Sequence, residues 1–477
     1  MPPPPPTTIH DPNLPALFHP TLILHGGAGA IHRATLPPDL YAQYHASLLT
    51  YLRSTRALLA SGASALDAAV HAVALMEDDP LFNCGRGSVF TAAGTIEMEA
   101  SLMVTSVVDG DSFPGVVKRG AGVMRLRNVQ HPIRLAREVL LRDGLDDQGQ
   151  GQGQSGGGGG GSMHSQLVAP YVEDVLARRW GLEFMPDEWF FTQRRWDEHL
   201  RGLKGLPEEV SLSQGTVGCV CLDRWGGLAV ATSTGGLTNK LPGRVGDTPT
   251  LGAGFWAEGW EGMRVGVEGG IGMGLARKGI EEREGGLSKK EIWDMSLGDC
   301  VPGFVRQGMD RVFGAVLGTG TEAWLDRRAS EKEALIVRQP TTVVQRHKTR
   351  RAVAVSGTGN GDSFLRTAAA RTACAIARFS TPSPSLAQAV AAVAGPGGEL
   401  QRSAGERWGT SGEGQGGIIG IEAELEDAVP DDDGMATLRR GKVVFDFNCG
   451  GMWRAWVEDL GDGKEVERVM VFRDEYR

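Results

Sequence analysis

The chain has 477 residues, enough to bury a large core, and length alone suggests two or three domains. A net charge of −9 argues against a general binder of phosphate backbones, so no nucleic-acid partner is expected. Nor does any stretch reach the ~18–20 apolar residues of a membrane span. The 69 glycines are the unusual count, and many punctuate apolar segments, as happens where backbones approach each other or a ligand closely.

Met1 to Pro6 is a proline run without the basic and apolar regions of a secretory signal, so residues 1–20 are expected to form a disordered tail. The six cysteines (Cys84, Cys219, Cys221, Cys300, Cys374, Cys449) show no CxxC spacing and no paired histidines. Buried, reduced thiols in a cytoplasmic protein fit that better than a metal centre.

Thr21–His25 reads as a buried strand ending in the glycine turn His25-Gly26-Gly27-Ala28-Gly29. Amphipathic helices follow at 39–61 and 65–76, the second opened by Ser64 and Asp67 in capping-box spacing. After the glycine-punctuated segment 83–88 comes an apolar stretch to Met103, then a helix over 132–142 with proline in its first turn. Residues 148–162 are glycine, glutamine and serine and read as a flexible linker, followed by a tryptophan-containing helical stretch over 165–200. Beyond 258 the chain is charge-rich to about 350, with short helical patterns at 270–283 and 288–296. The core pattern resumes at Arg351–Val355, with a glycine loop at 357–361, an alanine-rich helix at 363–378 and strands at 417–422 and 442–447.

The most informative feature is a hairpin. Strands at 216–222 and 228–234 flank the five-residue turn 223–227, which pairs residue 222 with 228 and sets Thr216 opposite Thr234. Directly opposed side chains have Cβ atoms ~4.5–5.5 Å apart, so two hydroxyls meet at the open end. Both strands are apolar at alternate and adjacent positions alike, as in a sheet covered on both faces. Taken alone, a Thr–Thr pair that only stabilises a sheet explains the hairpin equally well.

Their surroundings favour chemistry. Thr216 follows Gly215 and a long polar segment, so the preceding peptide bond is open to strain and release. Thr234 leads into Gly235-Gly236 and then Gly243-Arg244-Val245-Gly246-Asp247. One guanidinium and one carboxylate beside two hydroxyls suit a small zwitterion, the arginine gripping a carboxylate and the aspartate an ammonium.

The stretch Gly215 to Ala257 resembles the nucleophile region of plant-type asparaginases, also called isoaspartyl peptidases. Four further segments match in order: His25 to Ala30, Glu77 to Ser101, Ser356 to Asp362 (SGTGNGD) and Asn448 to Arg454 (NCGGMWR). The resemblance implies an α+β, four-layer αββα sandwich and cleavage between Gly215 and Thr216 into 1–215 and 216–477. Thr216 is then similar to the nucleophile, whose freed α-amino group is the general base. By the same resemblance Thr234 is the hydroxyl partner, and Thr358 with the backbone of Gly359 forms the oxyanion hole. Arg244 and Asp247 hold the substrate's α-carboxylate and α-ammonium, and Asn83 lies near the nucleophile. It further implies substrates such as L-asparagine and β-aspartyl dipeptides, no organic cofactor, and a dimer of processed units. A structural sodium ion would sit on the backbone of Glu77, Asp78, Phe82 and Asn83.

Three departures stand out. The family's histidine and glutamate after the oxyanion glycine are Asn360 and Asp362 here, Val104 replaces an acidic residue, and 258–350 reads as an insertion. Glycosylasparaginases typically carry aspartate where this chain has Gly215, and threonine-aspartase proteases lack the run Asp247-Thr248-Pro249. A serine hydrolase has little support, since the only G-x-S-x-G, Gly153 to Gly157, lies in the linker; nucleotide binding is equally weak, since neither 26–29 nor 357–361 completes G-x-G-x-x-G and no G-K-[ST] follows. A non-cleaving scaffold of the same fold is the remaining alternative.

Overall fold

The computed structural model describes residues 15–108, 119–142, 164–206, 215–267, 344–426, 438–461 and 463–476. One unit comprises residues 1–264 and 347–477; a second, 265–346, lies almost wholly outside the described residues. Outside them also fall the proline run, the linker 148–162 and the helical patterns at 270–283 and 288–296.

The first strands and helices follow the sequence pattern. β1 is Phe18–His19 and β2 is Thr21–Gly29. Phe18 is fully buried and pairs with Arg439, so the expected tail ends short of residue 20. Helix α1 (Pro38–Ala60) buries Tyr44, Leu48, Leu52, Thr55 and Leu59, a three-to-four-residue stripe on one face. Helix α2 (Ala65–Asp78) starts at Ser64, whose hydroxyl accepts from Asp67 N at 3.1 Å, the reach of an N-cap. β3 (Met98–Ser106), β4 (Gly120–Leu126), α3 (Pro132–Leu141) and β5 (Gln166–Val168) follow. The expected helical stretch to 200 is broken into short pieces, the last two being α4 (Asp187–Phe190) and α5 (Gln193–Leu203).

The hairpin forms as β6 (Val217–Leu222) and β7 (Gly227–Thr234), in register from Leu222↔Leu228 to Val217↔Ser233. Its turn is held by the Asp223 carboxylate, which accepts from Trp225 N and Gly227 N and also from Ala65 N at the start of α2.

The expected insertion is narrower than 258–350. β8 runs Phe255–Val267 and β9 runs Val344–Gly359, so both flanks are strand. The alanine-rich helix is two: α6 (Gly361–Thr367) and α7 (Ala369–Phe379) break at Ala368, whose φ is +45°. Tertiary bonds override helix propensity there, since Ala370 N and Arg371 N donate to the carbonyls of Ala253 and Gly252. Helices α8 (Leu386–Ala394) and α9 (Glu399–Ala404) precede β10 (Gly416–Glu426), β11 (Arg439–Arg440), β12 (Lys442–Phe447), β13 (Gly451–Asp459) and β14 (Glu465–Met470).

Two sheets carry the unit. The larger has the order β14-β13-β2-β6-β7-β3-β4-β5, antiparallel except at β4–β5, and the smaller is β12-β10-β9-β8. Alternate residues of β6 and β7 enter different cores. Cys219, Cys221, Ala229 and Ala231 face α1–α3, while Val220, Leu222, Leu228 and Val230 face the smaller sheet. That double burial explains the unbroken apolar runs. On the smaller sheet Ala352 and Ala354 join the inter-sheet core, and Val353 and Val355 pack under α6–α9. The layers are helix, sheet, sheet, helix: the four-layer αββα sandwich.

Candidate active site

Thr216 lies one residue before β6, at the open end of the hairpin and almost wholly buried. Extending the register beyond Val217↔Ser233 sets it opposite Thr234, as the counting of strand and turn residues requires. The hydroxyls pair differently, however. Thr216 Oγ1 lies 2.9 Å from Thr248 Oγ1, whereas Thr234 Oγ1 accepts from Gly236 N at 2.9 Å in its own loop. Thr248 is not among the residues to which the sequence assigns a role, and its signal there is its place in the run Asp247-Thr248-Pro249.

On the other side of Thr216, Gly215 is wedged between two chains. A Cβ there would stand 2.4 Å from Thr358 Oγ1 and 2.7 Å from Ala28 N, which donates to that hydroxyl at 3.2 Å. Only glycine fits. Gly359 follows with φ +140°, and a Cβ there would lie 2.4 Å from the Gln415 carbonyl. Asn360, one of the departures, caps α6: its Oδ1 accepts from Ser363 N at 3.1 Å and from the Ser363 hydroxyl at 2.8 Å.

A second buried pair sits beneath. His25 Nε2 is 2.7 Å from Ser356 Oγ. His25 pairs with Gly218, where a Cβ would stand 2.5 Å from Nε2. Burial pushes His25 down to about 3, against a hydrogen bond to the Thr216 backbone that works in the opposite sense. The imidazole is therefore neutral at ordinary pH and packs as a polar but uncharged floor.

Asn83 ties the 235–236 turn to the loop after α2. Its carbonyl accepts from Gly235 N at 2.9 Å, its Nδ2 donates to the Gly236 carbonyl at 2.8 Å, and its Oδ1 accepts from Val89 N at 3.1 Å.

Arg244 and Asp247 converge at Gly361, where a Cβ would stand 2.5 Å from Asp247 Oδ1 and 2.9 Å from Arg244 Nη2. Burial pushes the Asp247 carboxyl up to about 7, while the Arg244 guanidinium pulls it down. Asp247 Oδ2 and Arg244 Nε are buried without hydrogen-bond partners among the described residues, so both have capacity left for a ligand. Arg244 Nη2 also lies 3.1 Å from Asp362 Oδ1, so Asp362, which departs from the family pattern together with Asn360, places a carboxylate against the guanidinium.

Comparison with known proteins places the chain among the amide hydrolases. The sequence profile of the asparaginase family matches residues 18–144 and 162–265. A putative isoaspartyl peptidase/L-asparaginase of Dictyostelium discoideum is 35% identical over 272 residues, covering 50% of this chain and 70% of that protein. An isoaspartyl peptidase of Escherichia coli (strain K12) is 38% identical over 246 residues, 50% of this chain and 67% of that protein. An isoaspartyl peptidase/L-asparaginase of Danio rerio is 31% identical over 322 residues, 65% of this chain and 89% of that protein. The chain belongs to the asparaginase family.

Proposed function

We propose that the protein is a self-activating amidohydrolase that cleaves the side-chain amide of L-asparagine and the β-aspartyl bond of isoaspartyl peptides, with Thr216 as nucleophile. The observation that carries this reading is the setting of the Gly215–Thr216 bond. Its threonine hydroxyl is held by Thr248, and its glycine is pressed against the Thr358 hydroxyl.

In the intact chain, Thr216 Oγ1 attacks the Gly215 carbonyl and an N→O shift gives an ester. Water splits the ester to leave a Gly215 carboxylate and a free Thr216 amine. The pieces 1–215 and 216–477 stay together because their strands interleave: β2 of the first lies between β13 and β6 of the second, and β7 of the second lies beside β3 of the first. The freed amine then takes the hydroxyl proton as Oγ1 attacks the substrate's β-carbonyl. That proton leaves with ammonia or the departing amino acid, and water hydrolyses the β-aspartyl ester to aspartate.

In this reading Thr358 and the Gly359 N–H stabilise the oxyanion, where a lost donor costs ~10²–10³ in rate. Arg244 receives the α-carboxylate and Asp247 the α-ammonium. Thr234 and Asn83 shape the turn beside the nucleophile. A structural sodium ion also belongs to this reading. The Glu77 and Phe82 carbonyls crowd Gly85 and Gly87, where a Cβ would stand 2.2 and 2.0 Å away, so they bend into one tight loop with Asp78. The Asn83 carbonyl already accepts from Gly235 N. Such an ion would stiffen the loop that carries Asn83. A cytoplasmic setting and a dimer of processed units complete the proposal. In the described residues no helix is long and apolar enough to cross a membrane.

Intact mass and N-terminal sequencing test the core of it. The purified protein matures into two chains, the second beginning at Thr216, and releases ammonia from L-asparagine. Thr216→Ala stays a single chain and is inactive. A different new N-terminus, or full activity from Thr216→Ala, overturns the mechanism.

A further inference from the structure

We infer that Glu99 is a positioning residue for the substrate clamp: with Glu97 and Ser101 it pins the loop 243–248, and through that loop it sets where Arg244 and Asp247 stand. The inference rests on the proposed function, because it assigns a task to residues that act on the same substrate.

Glu97 lies just before β3, and Glu99 and Ser101 lie within it, two residues apart each time. In an extended chain such residues share a face. Each holds one point of the clamp loop. A Glu97 carboxylate oxygen accepts from Gly243 N at 2.7 Å, both Glu99 oxygens accept from Gly246 N at 3.1 and 3.2 Å, and the Ser101 hydroxyl donates to the Thr248 carbonyl at 2.5 Å. The contacts run in the same order along strand and loop, so the strand acts as a template. Glu99 is the central rung, and it faces Thr234 across the β3–β7 pairing.

Two features make that rung matter for binding. The clamp side chains are only partly fixed by their own contacts: Arg244 Nε and Asp247 Oδ2 lack hydrogen-bond partners among the described residues, and the one ion pair to Arg244 comes from the half-exposed Asp362. Their aim therefore depends on the backbone that carries them. Gly246, the residue Glu99 holds, also sits against the guanidinium. A Cβ there would stand 2.7 Å from Arg244 Nη1 and 3.1 Å from Glu99 Oε2. Glu99 is completely buried, and so is nearly all of Lys240, whose Nζ donates to the Glu97 carbonyl at 2.7 Å. A carboxylate so placed is expensive unless hydrogen-bonded and near cations. Lys240 and Arg244 supply that charge.

Steady-state kinetics of the full-length enzyme on L-asparagine decide the matter, with intact mass to confirm maturation. Glu99→Ala is expected to raise KM at least about tenfold while kcat stays within about threefold. Glu99→Gln keeps an acceptor oxygen for Gly246 N and is expected to recover most of the loss. Should Glu99→Ala fail to mature, Gly246→Ala takes its place, because its Cβ intrudes between the same groups and is expected to raise KM alike. An active wild type together with a variant of unchanged KM overturns this inference and leaves the function standing. So does a variant whose kcat falls and whose Tm drops while KM holds, since that marks a merely structural anchor. A wild type inactive on both L-asparagine and β-aspartyl dipeptides removes the function, and this inference with it.

Discussion

Thr216 Oγ1 and Thr248 Oγ1 lie 2.9 Å apart in the intact chain, although the strand register sets Thr216 opposite Thr234. Thr248 is fully buried, and Thr234 has already given its oxygen to the Gly236 N–H. The oriented hydroxyl is thus tied to the clamp loop rather than to the neighbouring strand. Thr248→Val, which keeps the shape and removes the hydroxyl, is expected to slow self-cleavage about two- to twelvefold. A hydrogen bond of this kind is worth ~0.5–1.5 kcal/mol, and a factor of ten in rate is ~1.4 kcal/mol. Thr234→Val is expected to slow it less. The fraction of two-chain protein against time, read by mass spectrometry, checks both, and equal or reversed effects would return the role to Thr234.

Asp362 makes a different claim on the site. Its carboxylate lies 3.1 Å from Arg244 Nη2, where the α-carboxylate of a substrate would bind in the proposed reading. About half of the Asp362 side chain is exposed, so water and salt weaken the pair. Exposed pairs are worth ~0.2–1 kcal/mol. Asp362→Asn is therefore expected to lower KM for L-asparagine by up to about fivefold, with a smaller gain at high salt. A rise in KM would show instead that Asp362 holds the guanidinium in place.

The parts of this arrangement differ in how legible they were from sequence. The opposition of Thr216 and Thr234 follows from period-two geometry and the count of residues between two apolar runs. The burial of that sheet on both faces follows from the same runs, since Val220 and Cys221 enter different cores. The bond between His25 and Ser356 could not be read, because 331 residues separate partners joined only by the stacking of two sheets. The β3 template was hidden for a similar reason. Glu97 and Glu99 fall in a stretch read only as apolar up to Met103, and nothing local shows that the 243–248 loop lies over them. The break at Ala368 contradicts local propensity and arises from bonds to Gly252 and Ala253. The strands flanking the expected insertion did carry a signal. Phe255 and Ala257 are buried on one side with Trp256 and Glu258 on the other, an alternation that charge content obscured.

Glu77 makes stability depend on pH in a direction that can be worked out. It is completely buried in the last turn of α2; one carboxyl oxygen accepts from the Ser233 hydroxyl at 2.6 Å and from Ile133 N at 3.0 Å. The other oxygen has no hydrogen-bond partner among the described residues. Burial pushes its carboxyl up to about 8, opposed by those two hydrogen bonds. An unfolded glutamate titrates near 4.3, so between about 4.3 and 8 the folded state holds a proton that the unfolded state releases. The stabilisation from this group is complete below about 4.3 and is lost as pH rises through about 8. His25 works in the other window: lowered to about 3, it contributes above the unfolded value near 6.5 and loses that contribution as pH falls. Lowering pH from 8 to 6.5 therefore favours the carboxyl effect, to which Asp247, raised to about 7, adds in the same sense; His25, His45 and His71, all lowered by burial, begin to oppose it only near the lower end. The wild-type protein is expected to have a higher Tm at pH 6.5 than at pH 8. Glu77→Gln keeps the oxygen that Ser233 and Ile133 use and cannot ionise, so its Tm is expected to change less over that interval. Thermal unfolding of both proteins at the two pH values measures this. Equal slopes would mean that Glu77 is already ionised in the folded state over that interval.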